Sequence, residues 1–186
     1  MEQPKNNLKV ISEKKNVRMI LPNMLTLIGV CIGLTSIRFS FNGQFDLAII
    51  AIIFAALIDG LDGRIARLIK GTSKVGKELD SLTDMISFGV APAFIMYFWT
   101  LSSLGRLGWL ICLIYVICVA LRLARFNINS NQEASWRDNF FEGVPSPAGG
   151  ILVLTPLVIS MTNFDLVKID NNIIAPIFFI VTSLLL

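Results

Sequence analysis

Long apolar runs separated by short polar segments divide the chain into six candidate helices. A membrane-spanning helix needs about 20 mainly apolar residues, and six runs meet or approach that length: 22–40, 46–69, 79–100, 107–126, 147–162 and 173–186. The second and third runs are unusual, because their apolar character gives way to polar residues at the ends that face each other along the chain. The pattern predicts an all-α polytopic membrane protein with about six transmembrane helices.

Composition supports a membrane protein and excludes several kinds of site. Charged residues make up 16% of the chain, against roughly 25% in soluble domains, and the mean hydropathy is +0.71. The net charge of +3 is too small to indicate a nucleic-acid partner. The three cysteines lie in apolar runs, and their odd number argues against a disulfide framework or a zinc site. Because the chain has no histidine, acid–base chemistry falls to carboxylates or lysine.

Lysine and arginine alternate between the two sides of the predicted helices. The basic segments are the N-terminal tail, the second connection (Arg64, Arg67, Lys70, Lys74, Lys77) and the fourth (Arg122, Arg125, Arg137), whereas the opposite connections hold only Arg38, Arg106 and Lys168. Cytoplasmic loops carry an excess of such residues, so the N-terminus is expected to be cytoplasmic. We predict a basic cytoplasmic segment at 1–18, without the features of a cleavable signal peptide, and a single membrane domain at 19–186.

The polar ends of the second and third helices carry four aspartates in the stretch DGLDGRIARLIKGTSKVGKELDSLTD, which runs from Asp59 to Asp84. If these helices form a hairpin around the short GTSK turn, the four carboxylates converge. Residues three or four positions apart share a helix face. The two faces are Asp59, Asp62, Gly63 and Ala66 on one helix and Gly76, Asp80 and Asp84 on the other.

Such a cluster needs positive charge. One acid at mid-membrane costs about 2.5–3.5 kcal/mol on insertion scales, and the acids repel one another. Two divalent cations would neutralise four carboxylates, and oxygen ligands select Mg²⁺ or Mn²⁺ over zinc. Gly63 and Gly76 would let a flat ligand approach, and the planar guanidinium of Arg67 suits a phosphate. The alternatives are an interfacial salt-bridge network for the acids and close helix packing for the glycines.

The stretch resembles the signature of the CDP-alcohol phosphotransferases, D-x2-D-G-x2-A-R-x8-G-x3-D-x3-D. Every fixed position is matched, by Asp59, Asp62, Gly63, Ala66, Arg67, Gly76, Asp80 and Asp84. The resemblance implies a six-helix membrane core, commonly a homodimer, with a two-metal site open to the cytoplasm. It also implies transfer of a substituted phosphate from a CDP-linked donor to an alcohol, with release of CMP.

The same resemblance implies roles for individual residues. Asp59, Asp62 and Asp80 look like metal ligands, and Asp84 looks like both a ligand and the general base. The residues that would contact the CDP donor are Gly63, Ala66, Arg67, Ser73 and Gly76, with Asn23 and Thr26 of the PNMLT segment. For Asn23 and Thr26 the alternative is an ordinary helix start, with Pro22 in the first turn and either residue as the cap.

Segments outside the signature are similar to the phosphatidylserine synthases of this family. They are SFGVAPA after Asp84, LRLARFN at 121–127 and FEGVPSPA at 141–148, whereas LDSLTDM departs from the LDP-x-ADK of phosphatidylglycerophosphate synthases. The resemblance implies CDP-diacylglycerol as donor, L-serine as acceptor, and a cell (inner) membrane location among membrane lipids. Arg122 and Arg125 would hold the carboxylate of serine or the donor phosphate by bidentate contacts; the alternative is anchoring to lipid headgroups.

Three other functions stay open at this point. The nearest keeps the chemistry and changes the acceptor to glycerol 3-phosphate or inositol phosphate. A divalent-cation transporter is another, because intramembrane acids often mark ion pathways. A transporter predicts acids spread through the membrane depth, whereas here they cluster at one boundary beside a basic hairpin. A purely structural scaffold accounts least well for four carboxylates.

Overall fold

The computed structural model of the protein describes residues 5–69, 74–129, 143–161 and 171–186, and all regular elements among them are helical. The α-helices are α1 (Lys5–Phe41), α2 (Phe45–Ile69), α3 (Lys74–Asp84), α4 (Ala91–Trp99), α5 (Arg106–Asn129), α6 (Ser146–Met161) and α7 (Asn171–Leu185). A π-helical segment, Met85–Val90, joins α3 to α4, and a 3₁₀ turn, Leu101–Leu104, precedes α5. The predicted all-α fold class is confirmed for this part of the chain.

The predicted helix bounds hold to within three residues for α2, α5, α6 and α7. The third predicted helix, 79–100, begins five residues earlier at Lys74 and includes the π-helical segment. The PSP sequence at 145–147 marks a helix start, because α6 begins at Ser146.

The predicted first membrane helix, 22–40, agrees with the apolar span Pro22–Phe41, but the helix itself begins earlier. Helix α1 begins at Lys5 and continues through Pro22 to Phe41, so neither Asn23 nor Thr26 caps its first turn. The reason is that hydropathy reports where a helix becomes apolar enough for a membrane. It does not report where the backbone hydrogen bonding begins, and a polar segment can precede the apolar one in the same helix.

Three described helices are long and apolar enough to cross a membrane: Pro22–Phe41, Val75–Trp99 and Arg106–Ile128. Helices α6 and α7 are apolar but shorter, and the apolar run of α2 ends in Asp59, Asp62 and Arg64. These properties are those of an integral membrane protein. The count of six spans and the cytoplasmic N-terminus remain predictions.

The centre of the described bundle is the π-helical segment. Its Phe88 is fully buried, and the hydroxyl of Tyr115 on α5 donates to the Phe88 carbonyl at 2.8 Å. Glycines let two further helices approach. A Cβ at Gly33 of α1 would lie 2.6 Å from Ser87 Oγ, and a Cβ at Gly150 of α6 would lie 3.2 Å from Phe88 Cβ. Helices α1, α5 and α6 therefore all hold the segment that follows Asp84.

Candidate metal and active site

Helices α2 and α3 bring three aspartates together. Asp59 and Asp62 lie near the end of α2, and Asp80 lies on α3. One carboxylate oxygen from each lies within 4.8 Å of the other two. Asp62 is buried, and Asp59 and Asp80 are half-buried. The two helices thus place three acids of the signature around a shared volume.

Asp84 lies one helical turn beyond Asp80, beside the same cluster. Its carboxyl group is within hydrogen-bonding reach of the Asp59 carboxyl. Two carboxylates in such contact repel unless a proton or a cation lies between them. Asp84 Oδ1 is buried and has no hydrogen-bond partner among the described residues. A buried oxygen without a partner is costly, so this atom is suited to receive a proton or a cation.

The donor set fits a hard divalent cation. All the groups are carboxylate oxygens, which suit Mg²⁺, Mn²⁺ or Ca²⁺ and not soft metals. Two ligands on one such ion lie up to roughly 4–5 Å apart, which matches the spacing of the Asp59, Asp62 and Asp80 oxygens. The four acids therefore constitute a candidate metal centre.

Helix α1 orients one of the candidate ligands. Thr26 is buried, and its hydroxyl donates to Asp62 Oδ2 at 2.8 Å while lying 3.0 Å from the Pro22 carbonyl oxygen. The backbone N–H of Gly63 also donates to the Asp62 carboxylate. Thr26, predicted as a donor contact, is thus placed against the candidate metal centre. Asn23 is half-buried three positions earlier on α1.

The side of α2 next to the acids is open. A Cβ at Gly63 would find nothing within 4 Å among the described residues. Arg67 is exposed, and its Nε donates to the Gly63 carbonyl at 3.1 Å, which holds the side chain along this face. Ala66 on α2 and Gly76 on α3 are half-buried. Ser73, predicted to contact a phosphate, lies outside the described residues.

Arg122 of α5 approaches the centre from another side. It is close enough to Asp84 for an attractive charge interaction, and one of its terminal nitrogens donates to Ser146 Oγ at 2.8 Å. Ser146 is buried at the start of α6. Arg125 lies one turn further along α5 and is exposed. The two predicted arginines are thus in different environments, and only Arg122 is linked to the aspartates.

Several supporting residues were not predicted as site residues. Asn127 Nδ2 donates to Ser81 Oγ at 2.9 Å, which ties α5 to the residue that follows Asp80. Ser146 positions Arg122, and Tyr115 binds the π-helical segment behind Asp84. Ser81, Asn127 and Ser146 lie in the LDSLTDM, LRLARFN and PSP segments, respectively. Their neighbourhood was therefore visible in the sequence, but their pairing was not.

Comparisons with known proteins place these residues in a family. The profile of the CDP-alcohol phosphatidyltransferase family matches residues 19–185. A CDP-diacylglycerol–serine O-phosphatidyltransferase of Mycobacterium leprae is 44% identical over 144 residues, which are 76% of this chain and 48% of that protein. Proteins of the same name match from Helicobacter pylori (42% identical, 75% and 57% covered) and Bacillus subtilis (34% identical, 72% and 73% covered). The chain thus spans about half the length of the first two relatives.

Proposed function

The chain belongs to the CDP-alcohol phosphatidyltransferase family, and we propose that it transfers the phosphatidyl group of CDP-diacylglycerol to the hydroxyl of L-serine. The products are phosphatidylserine and CMP. The observation that carries the proposal is the meeting of Asp59, Asp62 and Asp80 around one volume, with Asp84 in contact with Asp59. The activities named for the relatives support serine as acceptor.

Asp84 is the proposed general base. It accepts the proton of the serine hydroxyl as that oxygen attacks the phosphorus bonded to diacylglycerol. The bond from this phosphorus to the oxygen it shares with CMP breaks, and CMP leaves with the electron pair. The buried Asp84 Oδ1, which has no hydrogen-bond partner among the described residues, supports the role of base. A base must offer a free lone pair to the proton that it takes.

Two divalent cations, Mg²⁺ or Mn²⁺, would be held by the aspartates and would supply positive charge for the pyrophosphate of the donor. Asp59, Asp62 and Asp80 are the proposed ligands, with Asp84 contributing as well. Thr26 keeps the Asp62 carboxylate aimed at the centre. Preorganised charge of this kind usually lowers the barrier more than any other single effect in an enzyme.

The donor is proposed to lie along the open face of α2. A glycine at position 63 leaves room for the CDP group, and Arg67 offers its terminal N–H groups to a phosphate. The remaining proposed donor contacts, carried over from the family signature and its flanks, are Ala66, Ser73, Gly76, Asn23 and Thr26.

The acceptor is proposed to bind from the side of α5. Arg122 would hold the carboxylate of serine, since it lies beside Asp84 and is fixed by Ser146. This leaves the serine hydroxyl facing the base. Arg125 is the second proposed acceptor contact, although its exposure places it further from the aspartates.

We further propose that the protein lies in the cell (inner) membrane with this site at the cytoplasmic surface, and that it is a homodimer. The distribution of lysine and arginine supports the orientation. The profile match, which begins at residue 19, supports a single membrane domain preceded by the basic segment 1–18.

An acceptor panel tests the proposal. Purified protein with CDP-diacylglycerol and Mg²⁺ or Mn²⁺ is given serine, glycerol 3-phosphate or inositol phosphate, and CMP release is measured. We expect serine to be preferred, and an Arg122→Gln variant to raise KM for serine more than it lowers kcat. Equal or better turnover with glycerol 3-phosphate would refute serine as acceptor. Metal flux into liposomes without CMP release would favour a transporter instead.

A further inference from the structure

A cleft of about 530 Å³ lies between α5 and α7. Its α5 wall includes Ile111, Ile114 and Cys118, and its α7 wall includes Phe179 and Ile180. These α5 positions follow helical spacing, so they form one continuous stripe. The cleft is therefore elongated along the two helices.

The length of the cleft matches that of a lipid acyl chain. The α5 residues that line it extend from Ile111 to Arg125, a distance of about 21 Å at 1.5 Å per residue. That is roughly the apolar half-thickness of a bilayer plus its headgroup boundary, since the hydrocarbon core is about 30 Å thick. One acyl chain with its glycerol would fill a cleft of this length.

Among the described lining residues, positive charge lies at one end of the cleft. Arg122 and Arg125 line that end, and the lining toward Ile111 is apolar. The hydrogen bond between Asn127 and Ser81 places this end of α5 level with the aspartates. An occupant must therefore be apolar along most of its length and anionic at the level of the candidate metal centre.

We propose that the α5–α7 cleft binds an anionic phospholipid of the surrounding leaflet, with one acyl chain along the Ile111–Cys118 stripe and its phosphate at Arg125. Arg122, held by Ser146 and Asp84, is the less available of the two arginines. The cleft shares Arg122 and Arg125 with the proposed acceptor contacts. Neither the aspartates nor a nucleotide takes part in binding the lipid, so its retention can be measured without the reaction.

The test compares lipid retention by two matched tryptophan variants. Ile114 lines the cleft and Ile117 lies outside its lining, yet each is 55% exposed on the same helix. Purified full chain in detergent is mixed with phosphatidylglycerol or phosphatidylcholine, and bound lipid is counted by native mass spectrometry. Wild type and Ile117→Trp are expected to retain one phosphatidylglycerol, and Ile114→Trp is expected to lose it.

Charge recognition is tested with Arg125→Gln. A basic residue contributes about 1 kcal/mol to binding anionic lipid, or about fivefold in affinity, so this variant is expected to reduce the preference for phosphatidylglycerol over phosphatidylcholine about fivefold. Arg106→Gln, at the opposite end of α5, is the control and is expected to keep the preference. Equal retention of the two lipids by wild type, or equal loss in both tryptophan variants, would overturn the proposal.

A second measurement uses the wild-type protein and so does not depend on any variant folding. Cys118 lines the cleft and Cys31 is exposed on α1, which makes Cys31 an internal reference for thiol alkylation. Added phosphatidylglycerol is expected to slow alkylation of Cys118 relative to Cys31. Protection of Cys118 that rises with protein concentration and not with lipid would mean that a second copy fills the cleft, which would also overturn the proposal.

Discussion

Asp84 differs from the other three aspartates at the scale of single atoms. Its carboxyl group contacts Asp59, and its Oδ1 is buried and unpartnered among the described residues. We predict that Asp84→Asn lowers the rate of CMP release by roughly 10²–10⁴-fold, the usual contribution of a general base. The amide has nearly the same shape, so the unfolding temperature should change little.

The control for this substitution is Asp46→Asn, because Asp46 is exposed in the first turn of α2. It should leave CMP release near the wild-type rate. Substantial turnover by Asp84→Asn, with folding intact, would remove Asp84 from the role of base and would leave it as a metal ligand at most.

Thr26 supports Asp62 through a single hydrogen bond. We predict that Thr26→Val raises the Mg²⁺ or Mn²⁺ concentration needed for half-maximal activity by about 10–100-fold, as is typical when a partner of a metal ligand is lost. Thr26→Ser should restore the wild-type requirement. Thr35→Val is the control, because the Thr35 hydroxyl donates to the Cys31 carbonyl of its own helix and to no other group in the described part of the chain. An unchanged metal requirement in Thr26→Val would contradict the positioning role.

The aspartates of the candidate site could be predicted from the sequence, whereas the residues that hold the site in place could not. The spacing of Asp59, Asp62, Asp80 and Asp84 predicts two acid-bearing faces, since helical geometry converts sequence intervals into directions. The partners of these acids come from helices distant in the chain. The pairs Thr26–Asp62, Ser81–Asn127 and Arg122–Ser146 join residues 24 to 46 positions apart, and no local pattern in one sequence encodes them.

The contact between α1 and the π-helical segment is so close that the methyl group of a Gly→Ala substitution tests it. A Cβ at Gly33 would lie 2.6 Å from Ser87 Oγ and 3.1 Å from Ser87 Cα. Overpacking of this kind typically costs about 1–3 kcal/mol, so we predict that Gly33→Ala lowers the free energy of unfolding by an amount in that range. Denaturant unfolding in detergent, followed by circular dichroism, measures it.

Gly60→Ala is the matched control, because a Cβ there would find nothing within 4 Å among the described residues. This change should be neutral or stabilising, since alanine favours the helix over glycine by roughly 1 kcal/mol. A Gly33→Ala protein as stable as Gly60→Ala would show that α1 and the π-helical segment separate easily.

The elements themselves divide into those that hydropathy reports and those that it cannot report. Helices α2, α5, α6 and α7 lie close to their apolar runs. The Lys5–Ile20 part of α1 is mainly polar, so its helicity left no hydropathy signal. The π-helical segment Met85–Val90 is also hidden, because the period of its apolar residues differs too little from that of an α-helix over six residues.

For the whole molecule, a cation between α2 and α3 would join two helices that otherwise contribute mutually repelling acids. Binding only to the folded state stabilises it by about 2.7 kcal/mol when the free ion is 100-fold above its Kd. For a chain of this size 1 kcal/mol is worth roughly 2–4 °C. We therefore predict that saturating Mg²⁺ or Mn²⁺ raises the unfolding temperature by several degrees.

Differential scanning fluorimetry in detergent measures this shift, with a monovalent salt of equal ionic strength as the control. The Asp59→Asn/Asp80→Asn double variant should lose the shift, because it removes one proposed ligand from each helix. Equal shifts in the wild type and the double variant would locate the cation elsewhere.

The π-helical segment also sets a rule for rebuilding this protein. Each residue added to or removed from a helix rotates everything beyond it by about 100°. A one-residue deletion within Met85–Val90 would thus turn Asp80 and Asp84 away from α2 while the packing of α4 stayed unchanged. Chimeras that exchange halves with a relative should accordingly be spliced in the Phe41–Phe45 connection or the Leu101–Leu104 turn. A change of length there does not alter the rotation of the aspartates relative to the bundle.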